Sequence, residues 1–218
     1  MSTATMTTAA KDIEIFTDHS VFMRSVYLHA RTLFETCTID DKALMASAAN
    51  TFFGDLSMVL TEYLILQVCK ITDPARDFKK NENHTLALML EHCDLSSDPQ
   101  TAAQLGRLYH NIQAFSGKLR LARNKLISHS DRLSILASQT LGAATPQEWD
   151  QFWLDLQDAL CILRQKILGG APFYLNGVAM LTDADGLLKA LRHGAYFDQL
   201  LHDSDPVIAA KCIKLALD

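Results

Sequence analysis

The sequence predicts an all-α chain, an up-and-down four-helix bundle with short accessory helices at its C-terminal end. Apolar residues recur at three- and four-residue intervals over four long stretches. Start and stop signals punctuate the gaps between those stretches. β-branched residues never gather into the alternating pattern of a strand. Of the 218 residues, 49% are hydrophobic and both signs of charge are interspersed, which suits one folded core rather than a disordered chain.

The first helix is read over about Asp12 to Thr36, on Ile15, Phe22, Val26 and Leu33. Asp40 or Asp41 offers a cap for the second, which runs through Phe52, Leu56, Tyr63 and Leu64 to about Ile71 and stops at Thr72-Asp73-Pro74. A short helix is expected over Asn83 to His92. Asp98 as cap and Pro99 in the first turn open the third long helix, whose seam of Leu105, Leu108, Ile112, Phe115, Leu119 and Leu126 carries it towards His129. Ser116-Gly117 is a candidate kink. Thr145, Pro146 and Glu148 form a capping box for the fourth, which Gly169-Gly170 ends at Leu168. Two short capped helices follow, in Thr182–Gly194 and from Asp205-Pro206 onward. These elements divide the chain into a flexible 1–10, a bundle over 11–168 and an appendage over 169–218.

A formal charge of −5 excludes a wholly electrostatic nucleic-acid binder, so any such role needs a local patch. Five cysteines, odd in number and without a Cys-x-x-Cys pair, read as reduced thiols of a cytoplasmic protein. The small, polar first residues do not resemble a secretory signal. The apolar run around Met58 to Lys70 is interrupted by Glu62 and reads as too short for a membrane span, so no membrane role is expected. None of the six glutamates has a histidine three positions later, which speaks against a di-metal carboxylate centre. The spacing of His84, His92 and Cys93 fits no zinc pattern. Neither a metal nor another cofactor is expected. Trp149, Phe152 and Trp153 read first as packing, with base stacking as the sharper alternative.

One segment stands apart. Lys118 to Arg132, "KLRLARNKLISHSDR", holds five basic residues and one acid. If it stays helical, Arg123 and His129 flank the apolar seam, at about +40° and about −80° from Leu119 and roughly 9 Å apart along the axis. A single helix does not bring their tips together; two copies meeting at a twofold axis could. The residue types suit phosphate. Arg123 offers a planar fork for a phosphoryl group, and His129 exchanges a proton near neutral pH. Asn124 could orient an oxygen, while Lys118, Arg120, Lys125 and Arg132 would add attraction for an RNA backbone.

"RNKLISH" resembles the Arg-x(4–6)-His motif of HEPN domains, in which a polar residue, often Asn, follows the arginine. The branch it is most similar to is the one linked to bacterial abortive infection. "ITDPARDFKKNENHTLALML" resembles that branch's helix end, polar turn and short helix, and the likeness covers roughly residues 12 to 168. The resemblance implies a homodimer whose two motifs face one cleft, and a metal-independent endoribonuclease in a prokaryotic defence or toxin–antitoxin system. Arg123 and His129 would be its catalytic pair and Asn124 their polar companion. Such an enzyme leaves 2′,3′-cyclic phosphate ends, and a restraining antitoxin is a possible partner. Members modified by a partner nucleotidyltransferase carry a tyrosine two positions after the histidine; here that position is Asp131. The alternatives are a non-catalytic dimerisation or RNA/nucleotide-binding module, and a structural protein whose basic helix end holds a partner protein. On the residues alone, solvated basic side chains at a helix end are the plainest reading.

Overall fold

The computed structural model describes residues 7–124, 144–170, 172–175, 182–202 and 207–208. Six α-helices and one π-helical segment account for most of them: α1 Thr8–Ala30, the π segment Arg31–Thr36, α2 Ile39–Ile71, α3 Leu86–Glu91, α4 Pro99–Ala122, α5 Pro146–Leu168 and α6 Thr182–Leu201. No strand occurs among the described residues, only an isolated bridge between Arg76 and Glu82. The all-α class expected from sequence is the one observed.

Local chemistry explains most of the boundaries. Thr7 accepts from the Ala10 amide and starts α1 a turn before its apolar pattern begins. Thr38, rather than Asp40 or Asp41, caps α2. Its hydroxyl accepts from the Asp41 amide at 3.1 Å while the Asp41 carboxylate accepts from the Thr38 amide, so Asp41 is the reciprocal partner three residues in. Asp98 accepts from the Thr101 amide to open α4. The capping box between Thr145 and Glu148 is complete, and Gly169 closes α5 with φ 67°, a conformation in which a Cβ would be strained. α4 runs unbroken through Ser116-Gly117, where the Ser116 hydroxyl donates to the Gln113 carbonyl. The break falls instead in α2 at Ala49 (φ −164°, ψ 70°). α6 continues past Gly194 to Leu201 and is longer than expected.

Two compact units emerge, Met1–Arg24 with Thr61–Val178, and Ser25–Leu60 with Ala179–Asp218. In the first, α4 and α5 pack along one another. The core takes Ile13, Phe16 and Met23 from α1, Leu64 and Val68 from α2, Leu86 and Met89 from α3, Ile112, Phe115 and Leu119 from α4, and Phe152, Leu156 and Leu160 from α5. Burying one such side chain contributes about 1.5–3 kcal/mol. Phe115 and Phe152 stack at 4.8 Å and Trp153 meets Phe152 edge-on at 5.1 Å, so this part of the aromatic cluster is core.

In the second unit Leu33, Met45, Phe53, Ala184 and Leu188 form the buried cluster. The tail that the sequence sets apart from residue 169 thus shares a core with residues 25–60 through α6. Arg192 of α6 grips the Asp41 carboxylate with two bonds of 2.7 Å. By length and composition alone α2, at 33 residues, could cross a bilayer, which corrects the expectation that its apolar run is too short. The apolar run near Met58 is prolonged within the helix through Leu44, Met45 and the alanines beside them. Leu64, Val68, Cys69 and Ile71 are nevertheless buried in the first unit, while Phe52, Met58 and Val59 are more than half exposed.

Candidate nucleic-acid site

The last turns of α4 lie beside the C-terminal end of α2, where helix geometry leaves carbonyls without partners. Arg120 supplies one of the missing donors and also holds a carboxylate there. Its Nη1 donates to Asp73 Oδ1 at 2.7 Å and its Nη2 to the Thr72 carbonyl at 2.9 Å. The same carbonyl accepts from Gln113 Nε2 at 2.8 Å. Thr72 is itself buried, with its hydroxyl donating back to the Val68 carbonyl. Arg120, expected from the sequence as an RNA contact, is thus engaged in capping α2 across the helix pair.

Arg123 stands one turn further on, in α-type backbone at the end of α4. Its Nη2 reaches Asp73 Oδ2 at 3.4 Å. Asp73 thus accepts from two guanidinium groups, closely from Arg120 and loosely from Arg123. Both arginines are partly buried, and their charges oppose the upward push that burial gives the Cys69 thiol. Asn124 is exposed and continues the chain in a π-helical turn. Lys118 is bonded to Glu148, whose carboxyl it holds below the usual carboxylate range with help from the Thr145 amide. His129, Lys125, Arg132 and Asp131 lie outside the described residues.

Asp73 also lines a cavity of about 470 Å³, together with His19, Gln67, Lys70, Ile71, Glu82, Asn83, His84 and Thr85. The polar turn after α2 builds one wall. The Asp77 carboxylate accepts from the amides of Lys79 and Asn81, the Asn83 amide donates to the Ala75 carbonyl, and Thr85 caps α3. That folding presents His84 beside Phe16, with ring centroids 5.9 Å apart. His19 Nε2 bonds Gln67 Oε1 at 3.0 Å, and burial lowers its pKa against the upward pull of that bond. His84 and His92 both approach Asp12, at 3.0 Å to its carbonyl and 3.3 Å to its carboxylate respectively. Among the described residues no group of three or more His, Cys, Asp or Glu could hold a metal ion.

Asp73, Lys70, His19 and His84 carry no site signal in the sequence alone. The available signal was the segment "ITDPARDFKKNENH", legible as a polar turn but not as the wall of a cavity. Its partners on α4 lie 47 to 50 positions away.

An all-helical bundle that sets an Arg-Asn pair at the end of a long helix, against a polar turn, defines the class to which the chain belongs. Residues 13–163 match the AbiU2 family of HEPN domains, a family linked to abortive infection, and the chain is a member of it. No curated protein and no solved structure matches the chain.

Proposed function

We propose that this HEPN domain is a metal-independent endoribonuclease of a prokaryotic defence or toxin–antitoxin system, working in the cytoplasm as a homodimer. In this reading the RNA 2′-hydroxyl attacks the adjacent phosphorus, and the 5′-oxygen of the next nucleotide leaves. His129 exchanges the proton, Arg123 stabilises the charge that grows on the phosphoryl oxygens, and Asn124 positions the strand. A cyclic phosphate and a 5′-hydroxyl result, and the need for a 2′-hydroxyl confines cutting to RNA.

The observation that carries the reading is the state of Arg123. Of its guanidinium donors only one is engaged among the described residues, in a long contact to a carboxylate that Arg120 already holds. A phosphate could therefore be gripped by the rest of the fork without breaking a strong bond. The pairing of Lys118 and Arg120 favours the second reading, a non-catalytic RNA- or nucleotide-binding module in which much of the basic segment is structural. A restraining antitoxin or other regulatory protein fits either.

The deciding experiment incubates purified protein with a mixed cellular RNA pool in EDTA, wild type beside His129→Ala, and maps the product ends. Cyclic phosphates that appear with the wild type and disappear with the variant support the nuclease. A folded wild type that leaves the pool intact, or a variant that cuts equally well, sinks it.

A further inference from the structure

The cavity beside Asp73 has a chemistry that neither the motif nor the family match assigns. Its two carboxylates are already engaged, Asp73 by Arg120 and Arg123, and Glu82 by Arg76 at 3.1 Å. Lys70 is exposed near the end of α2, and its ammonium forms no ion pair or hydrogen bond among the described residues. The two carboxylates, Asp73 and Glu82, are matched by Arg120, Arg123 and Arg76, and the Lys70 ammonium adds a positive charge that attracts an anion.

The rest of the wall suits a base. Gln67 uses its carbonyl on His19 and keeps its amide N–H groups, whereas Asn83 donates its amide to the Pro74 carbonyl and keeps its own carbonyl. Among the described residues, one unengaged donor group and one unengaged acceptor thus line the same space. The His84 ring, backed by Phe16 and about one-third exposed, offers a flat face for stacking. A volume of about 470 Å³ falls within the range of pockets that enclose a small ligand.

We infer that the cavity formed by Lys70, His84, Gln67 and Asn83 binds one nucleotide of the RNA strand, its phosphate on Lys70 and its base against His84, next to the phosphate held by Arg123. Asp73 joins the two positions, since it lines the cavity and accepts from Arg123. The strand is thereby held at a second point outside the Arg-x-x-x-x-x-His motif. This inference rests on the RNA-targeting reading, but not on catalysis.

The test is fluorescence anisotropy of a short labelled single-stranded RNA over a salt series. Wild type, Lys70→Ala, His84→Ala and, as a control for charge alone, Lys189→Ala are compared, with AMP as competitor. Lys70→Ala is expected to lose affinity at least about threefold and to flatten the salt dependence by about 0.7 in log–log slope, the share of one phosphate on a single strand. His84→Ala should weaken binding with no change in slope, and Lys189→Ala should match wild type. Equal effects of Lys70→Ala and Lys189→Ala, or none from either, overturn the cavity. Displacement of the RNA by AMP at equal concentration overturns a strand as its occupant. RNA binding without cutting sinks the nuclease and leaves the cavity standing. Cutting by a wild type whose affinity Lys70→Ala does not alter sinks the cavity alone, and a wild type that binds no RNA sinks both.

Discussion

Two arginine–aspartate contacts in this chain use the same residue types to different ends. In the second unit Arg192 meets Asp41 through two bonds of 2.7 Å, and the carboxylate also accepts from the Thr38 amide and hydroxyl. The Asp41 side chain is 2% exposed, so its oxygens are out of reach of a ligand, while Arg192 is 53% exposed. At the end of α2, Asp73 is shared between Arg120 at 2.7 Å and Arg123 at 3.4 Å, at the rim of a cavity. The first carboxylate is saturated by one arginine and one cap. The second is oversupplied with cations, and the surplus falls on Arg123. The difference lies in the carboxylate: Asp41 is buried and fully bonded, whereas Asp73 stands at a cavity rim between two guanidinium groups.

Loss of the saturated pair should have the largest structural effect. Asp41→Asn removes the charge under Arg192 and weakens the cap of α2, where the buried Asp41 carboxylate is the reciprocal partner of Thr38. A clear fall in melting temperature is expected, with faster amide exchange in residues 25–60 and 182–202. Unchanged exchange there would mean that the clasp does not hold the unit together.

A smaller, graded effect follows from acid. Arg192 and Thr38 hold the Asp41 carboxyl far below its ordinary value, and Lys166 and Thr101 bring Asp98 down to about 2. Each folded-state value lies below the unfolded one, so each group contributes stability that is complete above pH about 4 and is lost as the pH falls through the folded value. The melting temperature of the wild type should therefore drop between pH about 4 and about 2. Asp98→Asn should start lower at neutral pH and drop less steeply over that window. Parallel curves for the two proteins would remove Asp98 from the account.

The parts of this fold that were legible in the sequence are those written in neighbouring residues. Asp98-Pro99, the Thr145–Glu148 box and Gly169 mark helix ends by bonds that close within one turn, and the apolar seams of α4 and α5 mark their buried faces. α2 was misread at its start because Thr38 and Asp41 are both competent caps, and only the reciprocal bonding decides between them. Gly194 suggested a stop that α6 does not make, since a glycine inside a helix costs only about 1 kcal/mol against alanine. The π segment escaped notice for a related reason, as one inserted residue shifts the buried stripe without erasing it.

Of the candidate site, Arg123 and Asn124 were legible through a short motif. Asp73, Lys70 and His84 were not, because their meaning comes from contacts between α4, α2 and the polar turn that no local pattern encodes.

The contrast between the two arginines is tested most directly by measuring RNA cleavage and thermal melting on the same preparations of Arg123→Ala and Arg192→Ala. A crossed result is expected. Arg123→Ala should melt like the wild type and lose cleavage by about two to three orders of magnitude, as when a single donor to a developing oxyanion is removed. Arg192→Ala should melt earlier and, below its transition, cut like the wild type. An Arg123→Ala protein that cuts normally, or that loses stability in step with activity, would contradict the division of labour between the two pairs.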